Sequence, residues 1–315
     1  MLNRRHLRIK VLQALYAFSL SKNEDTVAGE KELLHSVNKM YDMYIYFLLI
    51  FDDLSNFANI RIEDAKRKRV PTKENLNPNM RFVDNKLIAQ LRVNVSLKKA
   101  SEKASINWVG DVEQDMLKKM FVYLSGTDMF LDYMQQESSD YKSDKNFMVQ
   151  LFKKEICNFE LMHNFFEDRS IYWQDDMDHV CSMVLKTLKT FEQDTDEFCR
   201  ISELYKDDEK DYIIRLFHKS VKLESDNLKM IDSHTKNWDS DRLAKMDILL
   251  MNLAITEAKE FSSIPLKVTL NEYIEISKFY STPKSNGFIN GVLDKVFEDL
   301  KKDGTIKKVG RGLME

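Results

Sequence analysis

The sequence is poor in the residues that interrupt helices. Its 315 residues include only 8 Gly and 4 Pro, whereas charged residues make up 31% of the chain. So few helix breakers, together with many Lys, Glu, Leu and Met residues, favour helices throughout. We therefore predict an all-α fold, a helical bundle in a chain long enough to hold two domains or subdomains.

Long apolar runs and paired cysteines are also missing. The longest apolar patch, residues 44–51, is too short to span a bilayer. The N-terminus lacks the apolar region of a signal peptide. The cysteines are odd in number and form no CxxC pattern, which predicts reduced thiols in a helical core. We thus expect a cytoplasmic protein without membrane association. A net charge of −3 does not mark the whole chain as a nucleic-acid binder. Only the local distribution of charge can therefore indicate nucleic-acid binding.

Signatures of catalysis are sparse. No Gly-rich phosphate loop follows a strand pattern, and the six histidines show neither HxH nor HxxxH spacing. Pairs of Asp residues stand at predicted helix starts, where capping explains them. The sequence therefore predicts no enzyme, no catalytic residue, no metal site and no cofactor.

Hydrophobic periodicity places helices along most of the chain. The clearest internal loop is residues 61–81, which are basic and polar and contain Pro71 and Pro78, and a second loop follows at 137–146. Asn3 is a plausible N-cap for the first helix, and Asp239 lies near the N-cap of a later one. The main predicted helices span 3–21, 27–58, 83–105, 110–136, 209–233, 239–259, 265–280 and 285–301.

An internal repeat occurs in the second half of the chain. Residues 144–189 match residues 209–254, and each copy contains an amphipathic helix, a Trp-x-x-Asp turn and another helix. Trp173 aligns with Trp238, and an Asp follows each Trp at the same distance. Two amphipathic helices can share such a pattern by chance, but the matched Trp and Asp positions favour a shared structural unit. Only the second copy continues into the polar segment 264–295, so we expect function to lie with that copy and with the first helix.

Three segments carry a resemblance to one family. They are HLRIKVLQALYAFSL preceded by two arginines, NWDSDRLAKMDILLMNLAITEA, and IPLKVTLNEYIEISKFYSTPKSNGFINGVLDK. They resemble the arginine-rich first helix, a W-x-x-x-R-L helix and the F-[VI]-N-G-[VI]-L-D-K ending of NusB transcription antitermination factors. Members of that family are usually much shorter. The middle of the chain, residues 25–208, then resembles a lineage-specific enlargement whose role the resemblance does not define.

The resemblance implies domains, partners and a function. We predict an N-terminal arginine-rich helix plus an enlarged helical region over 1–208, a NusB-like helical domain over 209–301, and a mobile basic tail over 302–315. The implied role is binding the boxA element of ribosomal RNA leader transcripts together with the ribosomal protein that doubles as NusE. That complex joins the RNA polymerase elongation complex and promotes processive transcription. No catalysis is implied.

The candidate RNA-binding residues lie on the first and last helices. Arg4 and Arg8 share one helix face, and such a cluster offers bidentate phosphate contacts and stacking on bases. An ordinary solvated helix end is the alternative. Tyr16 could stack on a base or belong to the core. A lysine at 284 stands where the family often has an acidic residue. The predicted RNA-binding set is Arg4, Arg5, Arg8, Lys10, Gln13, Tyr16, Lys284 and Asn290.

Two further residues are predicted to bind the protein partner. Glu257 ends an A-x-x-E element that resembles the NusE-facing surface, although an exposed helix glutamate would look the same. Phe288 is either an exposed aromatic contact or a core residue. Gly291 suggests close backbone approach by another helix or by RNA, because glycine costs about 1 kcal/mol inside a helix.

Other functions stay open at this point. The large middle region favours a helical scaffold or protein-interaction module without specific RNA binding. The RNA-binding domain of a ribosomal RNA cytosine methyltransferase shares this kind of helical domain, but no catalytic domain follows the ending here. A homodimer is also possible for this family.

Overall fold

The computed structural model describes residues 4–21, 24–136, 140–206, 208–235 and 244–313. Over those residues the chain forms α-helices and no β-strand, which confirms the all-α prediction. No helix in the described ranges is long and apolar enough to cross a membrane. The helices are α1 (Arg4–Ser21), α2 (Thr26–Lys66), α3 (Lys73–Leu76), α4 (Lys86–Val93), α5 (Val95–Ala104), α6 (Asp111–Ser125), α7 (Asp128–Gln135), α8 (Tyr141–Leu151), α9 (Glu160–Glu167), α10 (Met177–Thr190), α11 (Glu209–Lys222), α12 (Glu224–His234), α13 (Lys245–Glu260), α14 (Leu266–Tyr280) and α15 (Ser285–Lys302).

The chain divides into two compact units. The terminal unit contains residues 1–37 and 205–315, and the middle unit contains residues 38–204. The first helix, however, folds with the C-terminal residues rather than with the middle of the chain. The structure therefore brings together the two ends that carry the sequence motifs.

The terminal unit is organised around α13. Every residue from Leu249 to Ala258 is buried, because α11, α12, α14 and α15 pack around this helix and α1 covers it further. A helix buried on all sides must satisfy its polar side chains internally. Asn252 does so with Asn227, whose Nδ2 donates to the Asn252 Oδ1 over 2.7 Å. The apolar stripe of α1 completes this core through Leu7, Val11, Leu12 and Leu15.

The middle unit has its own core, which is rich in aromatic side chains. Phe47 on α2 lies 5.4 Å from Phe152 and 5.2 Å from Phe166, measured between ring centroids. Trp108 is fully buried, and its indole nitrogen donates to the backbone oxygen of Tyr46 over 3.0 Å. Edge-on and tilted aromatic pairs of this kind add to the stability from apolar burial. Residues 38–204 are thus a folded unit with a core of their own.

Two long predicted helices are each split in the structure at a polar residue that caps the second helix. Asn94 separates α4 from α5: its side chain accepts from the Leu97 backbone nitrogen over 2.8 Å and donates to the Cys199 oxygen over 2.9 Å. Thr127 similarly caps α7 by accepting from the Phe130 backbone nitrogen. The side chains of both residues can bond to backbone groups that a continuous helix would use. The helix therefore ends there, although the hydrophobic periodicity continues along the sequence. The predicted caps at Asn3 and Asp239 lie outside the described residues.

The two copies of the predicted repeat fold into the same order of elements. The first copy forms α8 with a π-helical turn, then α9 and α10, and the second forms α11, α12 and α13. The aligned pairs Leu151 with Leu216 and Phe152 with Phe217 are all fully buried. Trp173 is buried in the first copy, whereas its counterpart at 238 lies outside the described residues. The shared order supports a common structural unit.

The predicted mobile tail is held against the terminal unit, which corrects the prediction for its described residues. The Val309 backbone nitrogen donates to the Ser262 oxygen over 3.1 Å, and the Lys308 Nζ donates to the Phe261 oxygen over 3.0 Å. A Cβ atom at Gly312 would lie 2.0 Å from the Ser262 oxygen, so only glycine fits there. Gly312 therefore serves close packing of the tail.

Candidate nucleic-acid interface

The arginines at the start of α1 are each engaged by an acidic residue of the terminal unit. The Arg4 guanidinium donates two hydrogen bonds to Asp208, of 2.9 and 3.2 Å, and lies 4.6 Å from the ring centroid of Tyr212. Arg5 donates two hydrogen bonds to Glu272, of 2.9 and 3.0 Å. Both arginines are half-buried. Their fork-shaped donors therefore fix the position of α1 against α11 and α14.

Arg8 is placed differently, because it is enclosed in the core. Its guanidinium donates two hydrogen bonds of 2.7 Å to Glu257 on α13. The side chains of Arg8 and Glu257 are only 2% and 0% exposed. The Glu257 carboxylate also accepts from Thr269 over 2.7 Å and from the hydroxyls of Tyr212 and Tyr273. A buried charge pair is tolerated where hydrogen bonds satisfy both partners in this way.

The pKa values of this cluster follow from burial and from the paired charges. Burial acts to raise the pKa of Glu257, but the Arg8 charge and the hydrogen bonds from Arg8, Tyr212 and Thr269 outweigh it and hold the pKa below its usual value. Burial acts to lower the pKa of Arg8, and the Glu257 charge overcomes it, so that pKa is raised. Burial raises the pKa of Tyr212 well above its usual value. The cluster consequently contains an ionised Arg–Glu pair and neutral tyrosines at physiological pH.

Three predicted binding residues are therefore corrected. Arg8 and Lys10 are buried in the terminal unit, and Glu257 is fully buried, so none of these side chains presents a surface to RNA or to a protein partner. The physical reason is the packing of α1 directly on α13, which turns the helix face that carries Arg8 toward the core. In the described structure the Arg8–Glu257 pair positions α1 against α13.

The second half of α1 presents a different surface. The Gln13 Nε2 donates to the Tyr280 hydroxyl over 3.2 Å, which places this part of α1 beside the end of α14. Tyr16, one turn further on, is 37% exposed. The Lys245 Nζ donates to the Ser19 backbone oxygen over 3.2 Å and brings the start of α13 to the same end of the unit. Gln13 and Tyr16 are thus accessible, at a point where three helices meet.

The turn between α14 and α15 continues this surface. Lys284 is exposed at the start of α15. The turn is fixed to α13 because the Ser281 hydroxyl donates to the Asp247 carboxylate. Phe279, at the end of α14, is 79% exposed, and it precedes the tyrosine that binds Gln13. We call Gln13, Tyr16, Lys245, Phe279 and Lys284 the helix-end surface.

The exposed side of α15 carries the remaining predicted residues. Asn290 is half-buried, and its amide donates to Asp294 over 3.3 Å. Phe288 is also half-buried. A Cβ atom added at Gly287 or Gly291 would meet no atom of the described residues within 4 Å. Of the two expectations for Gly291, packing against another helix is therefore wrong for the described part of the chain, and approach by RNA stays a prediction. Both glycines leave an exposed strip of backbone on α15.

Several residues of the site escaped the sequence analysis. Glu272 binds Arg5 and lies 3.6 Å from Arg8, and it follows an exposed Asn271 in the N-E dipeptide of the last motif. The excess of cations at the start of α1 indicates that an acidic partner such as Glu272 could have been sought in the sequence. No local pattern identifies Lys245 or Tyr280, because their roles depend on which helices meet.

The geometry defines a class of protein. An all-α unit holds a basic N-terminal helix on a fully buried central helix and gathers lysines and exposed aromatic side chains at one end. Among the described residues no cluster of His, Cys, Asp and Glu is arranged to hold a metal ion. The terminal unit is thus a helical domain with basic and aromatic side chains exposed at one end.

Comparison with known proteins finds similarity to one family over the region that runs from α10 to α15. Residues 178–298 match the model of the NusB family. A protein named transcription antitermination protein NusB from Salinibacter ruber is 40% identical over 105 residues, which are 33% of this chain and 66% of that protein. The protein of the same name from Chloroherpeton thalassium is 40% identical over 106 residues, or 34% of this chain and 50% of its own length. The one from Natranaerobius thermophilus is 44% identical over 80 residues, or 24% and 58%.

The C-terminal region of this chain is a NusB family domain, and the chain is larger than a typical member. The matched stretches span between 50% and 66% of the relatives' own lengths. No solved structure matches the chain. The structure adds that α1, which precedes the matched residues by more than 150 positions, folds onto this domain.

Proposed function

We propose that this protein is a cytoplasmic transcription antitermination factor whose terminal unit binds boxA-type RNA. In this proposal it acts together with a NusE ribosomal protein in the RNA polymerase elongation complex. The names of the matched relatives support the antitermination role. The observation that carries the RNA-binding part is the helix-end surface, where Tyr16 and Phe279 are exposed beside lysines from two helices.

The helix-end surface has the chemistry that single-stranded RNA requires. Unpaired bases stack on aromatic side chains, and each stacked base contributes about 1–3 kcal/mol of binding free energy. Lys245 and Lys284 are exposed and supply positive charge for the phosphates. Gln13, on the same helix as Tyr16, adds a half-buried polar side chain to this surface. We infer that this end, rather than the buried face of α1, receives the RNA.

Arg4 and Arg5 can contribute to the same RNA at modest cost. The Arg4–Asp208 pair is open to solvent, with 38% of the half-buried Arg4 side chain and 70% of the Asp208 side chain exposed. Exposed ion pairs contribute about 0–1 kcal/mol, so a phosphate can replace the Asp208 carboxylate. Arg5 is more firmly held, because Glu272 is mostly covered. We propose phosphate contacts for Arg4 first and for Arg5 second.

The exposed side of α15 is the proposed contact for the protein partner. Phe288 and Asn290 flank the strip formed by Gly287 and Gly291, where no other part of the described chain lies close. A partner backbone can approach a helix closely only where Cβ atoms are absent. The half-buried Phe288 supplies the apolar contact beside that strip.

The proposal is tested by measuring the affinity of the purified chain for a boxA-type RNA and for a scrambled RNA, each with and without NusE. We expect preference for the boxA-type RNA, strengthened by NusE, and an affinity that falls steeply with salt. Lys284→Gln should weaken RNA binding, whereas Lys98→Gln on the middle unit is the matched control of equal charge. Equal affinity for both RNAs with the partner present would refute the proposal.

One observation favours a second function, a protein-interaction scaffold. The middle unit has its own aromatic core and lies mostly outside the matched family region. If NusE or polymerase binds the chain fully while no RNA preference exists in any mixture, the scaffold is the better description.

A further inference from the structure

A run of exposed cations lies in the middle unit, between α2 and α3. The sequence over 66–69 is Lys-Arg-Lys-Arg, and Lys73 opens α3. Lys66 binds Glu63 over 2.8 Å. Among the described residues no ion pair within 4 Å involves the other four cations, whose side chains are exposed. Val70 is 82% exposed at the tip of this turn. We call Arg67, Lys68, Arg69 and Lys73 the basic turn.

An aromatic cleft opens beside the basic turn. Its volume is about 260 Å³, and it is lined by both helices that the turn connects. That is below the about 300 Å³ at which pockets for drug-sized ligands begin, so it suits a group no larger than one base. The walls that matter here are Arg61 and Ala65 on α2, Asn75 on α3, and Phe82, Phe121 and Phe130.

The polar groups of the cleft are held in fixed positions. Thr72 and Asn75 form a capping box, in which the Asn75 Oδ1 accepts from the Thr72 backbone nitrogen over 3.1 Å. The Asn75 Nδ2 then makes no hydrogen bond to any described residue and can donate to a ligand. The Arg61 guanidinium lies 5.5 Å from the ring centroid of Phe121. A flat ring entering the cleft therefore finds an aromatic wall, a guanidinium and an amide donor.

We propose that the middle unit carries a second binding site for single-stranded RNA, in which the basic turn holds phosphates and one base enters the aromatic cleft. Residues 61–74 contain six basic and three acidic side chains, so the local charge complements a polyanion. A base can enter a side pocket only when it is unpaired, which excludes duplexes as full ligands. This site is independent of the boxA surface proposed above and gives the enlarged middle region a function of its own.

An acidic peptide or an anionic membrane would account for less of the site. Either would use the cations, but neither calls for a small aromatic cleft with an oriented amide beside them. Val70 is the only large apolar side chain exposed within the described turn 66–72, which is little for insertion into a lipid interface. Single-stranded RNA uses both features at once, through phosphate contacts and through stacking.

The experiment uses the full chain and an oligouridine RNA that contains 4-thiouridine and no boxA-like sequence. Irradiation should cross-link the RNA to peptides within 58–83. Arg67→Gln/Lys68→Gln/Arg69→Gln should lower the affinity about 10- to 100-fold near 0.1 M salt and reduce the slope of log K against log salt by about 2. Ala65→Leu should reduce cross-linking by filling the cleft, while it leaves that slope unchanged.

Matched controls separate the possible outcomes. Lys98→Gln/Lys99→Gln/Lys103→Gln removes the same charge from exposed positions on α5 and should change the affinity little. An equal loss in that control, or cross-links confined to the terminal unit, would overturn the proposal. Equal competition by duplex DNA would overturn the cleft as a base site. Because the probe lacks boxA, failure of the boxA proposal would appear as lost sequence preference and would leave these cross-links intact.

Discussion

Arg8 and Glu257 are 249 residues apart in the chain and form a doubly hydrogen-bonded ion pair that is closed to solvent. The pair joins the first helix to the central helix of the terminal unit. It therefore fixes the position of the arginine-rich helix in the terminal unit. The whole middle unit lies between the two residues in the sequence. An arginine that resembles a nucleic-acid contact in the sequence is here part of the fold.

The first prediction concerns the removal of one partner of this pair. Arg8→Met should destabilise the terminal unit by about 3–5 kcal/mol, because it leaves the Glu257 carboxylate buried without its counter-charge. Urea unfolding, with hydrogen exchange of α1 peptides measured by mass spectrometry, would detect the loss. Arg8→Met/Glu257→Leu should recover much of the stability, since it removes both charges together.

The exposed pair Arg4–Asp208 provides the control for that prediction. Arg4→Gln should change the free energy of unfolding by less than about 1 kcal/mol, as is usual for solvated ion pairs. If Arg8→Met left the stability unchanged and abolished RNA binding, Arg8 would be a direct RNA contact and the structural role assigned to it would be wrong.

The second prediction separates binding from stability on the helix-end surface. Tyr16→Ala should weaken RNA binding by about 1–3 kcal/mol, the contribution of one stacked base, with little change in melting temperature because the ring is substantially exposed. Fluorescence anisotropy with boxA-type RNA and a thermal melt would measure the two effects. Phe198→Ala, at an exposed aromatic of the middle unit, is the matched control. Equal losses in both variants would argue against a stacking role for Tyr16.

Much of the fold could be predicted because helix periodicity is a local property. The bounds of α1, α14 and α15 differ from the predicted ones by at most one residue. The splits at Asn94 and Thr127 could not be predicted, because the same residue type can face solvent within a helix or cap the next one. The choice depends on distant partners such as the Cys199 oxygen.

The candidate site was only partly predictable for a related reason. Exposed residues such as Tyr16 and Lys284 stay in the proposed binding surface. Arg8 and Glu257 could not be distinguished from surface residues, because their motifs do not indicate whether each side chain faces the core or the solvent. A basic residue near a helix start satisfies either a phosphate or a buried carboxylate, and only the packing of α1 on α13 distinguishes the two.

The third prediction concerns the glycine strip of α15. Gly291→Ala should stabilise the terminal unit by up to about 1 kcal/mol, because alanine favours the helix and the added Cβ meets no atom of the described chain. If a protein partner approaches this strip, the same variant should weaken NusE binding in a calorimetric titration. Lys295→Ala, at an exposed position one turn further along, is the control. Unchanged partner binding by Gly291→Ala would place the partner elsewhere.

The fourth prediction is a pH dependence that originates at His6. Burial, aided by the positive charges of Arg5 and Lys10, lowers the pKa of His6 to about 4, compared with a usual value of 6.5. The unfolded chain therefore binds a proton at a higher pH than the folded chain does. The folded state is favoured fully above pH 6.5 and loses stability as the pH falls toward 4. The effect is at most about 3 kcal/mol, and about 1–2 kcal/mol once the partial exposure of the ring is considered.

His6→Gln removes this titration while it keeps a polar side chain of similar reach. The difference in unfolding free energy between the wild-type chain and the variant should stay constant from pH 7 to 8, where the His6 ring is neutral in the folded and the unfolded chain. Between pH 6.5 and 4.5 the wild-type chain should lose stability relative to the variant, and urea titrations at each pH would measure this. A difference that stays constant over the whole range would show that the ring is protonated as easily in the folded chain as in the unfolded one. In that case neither the burial of the ring nor the charges of Arg5 and Lys10 would disfavour its protonation.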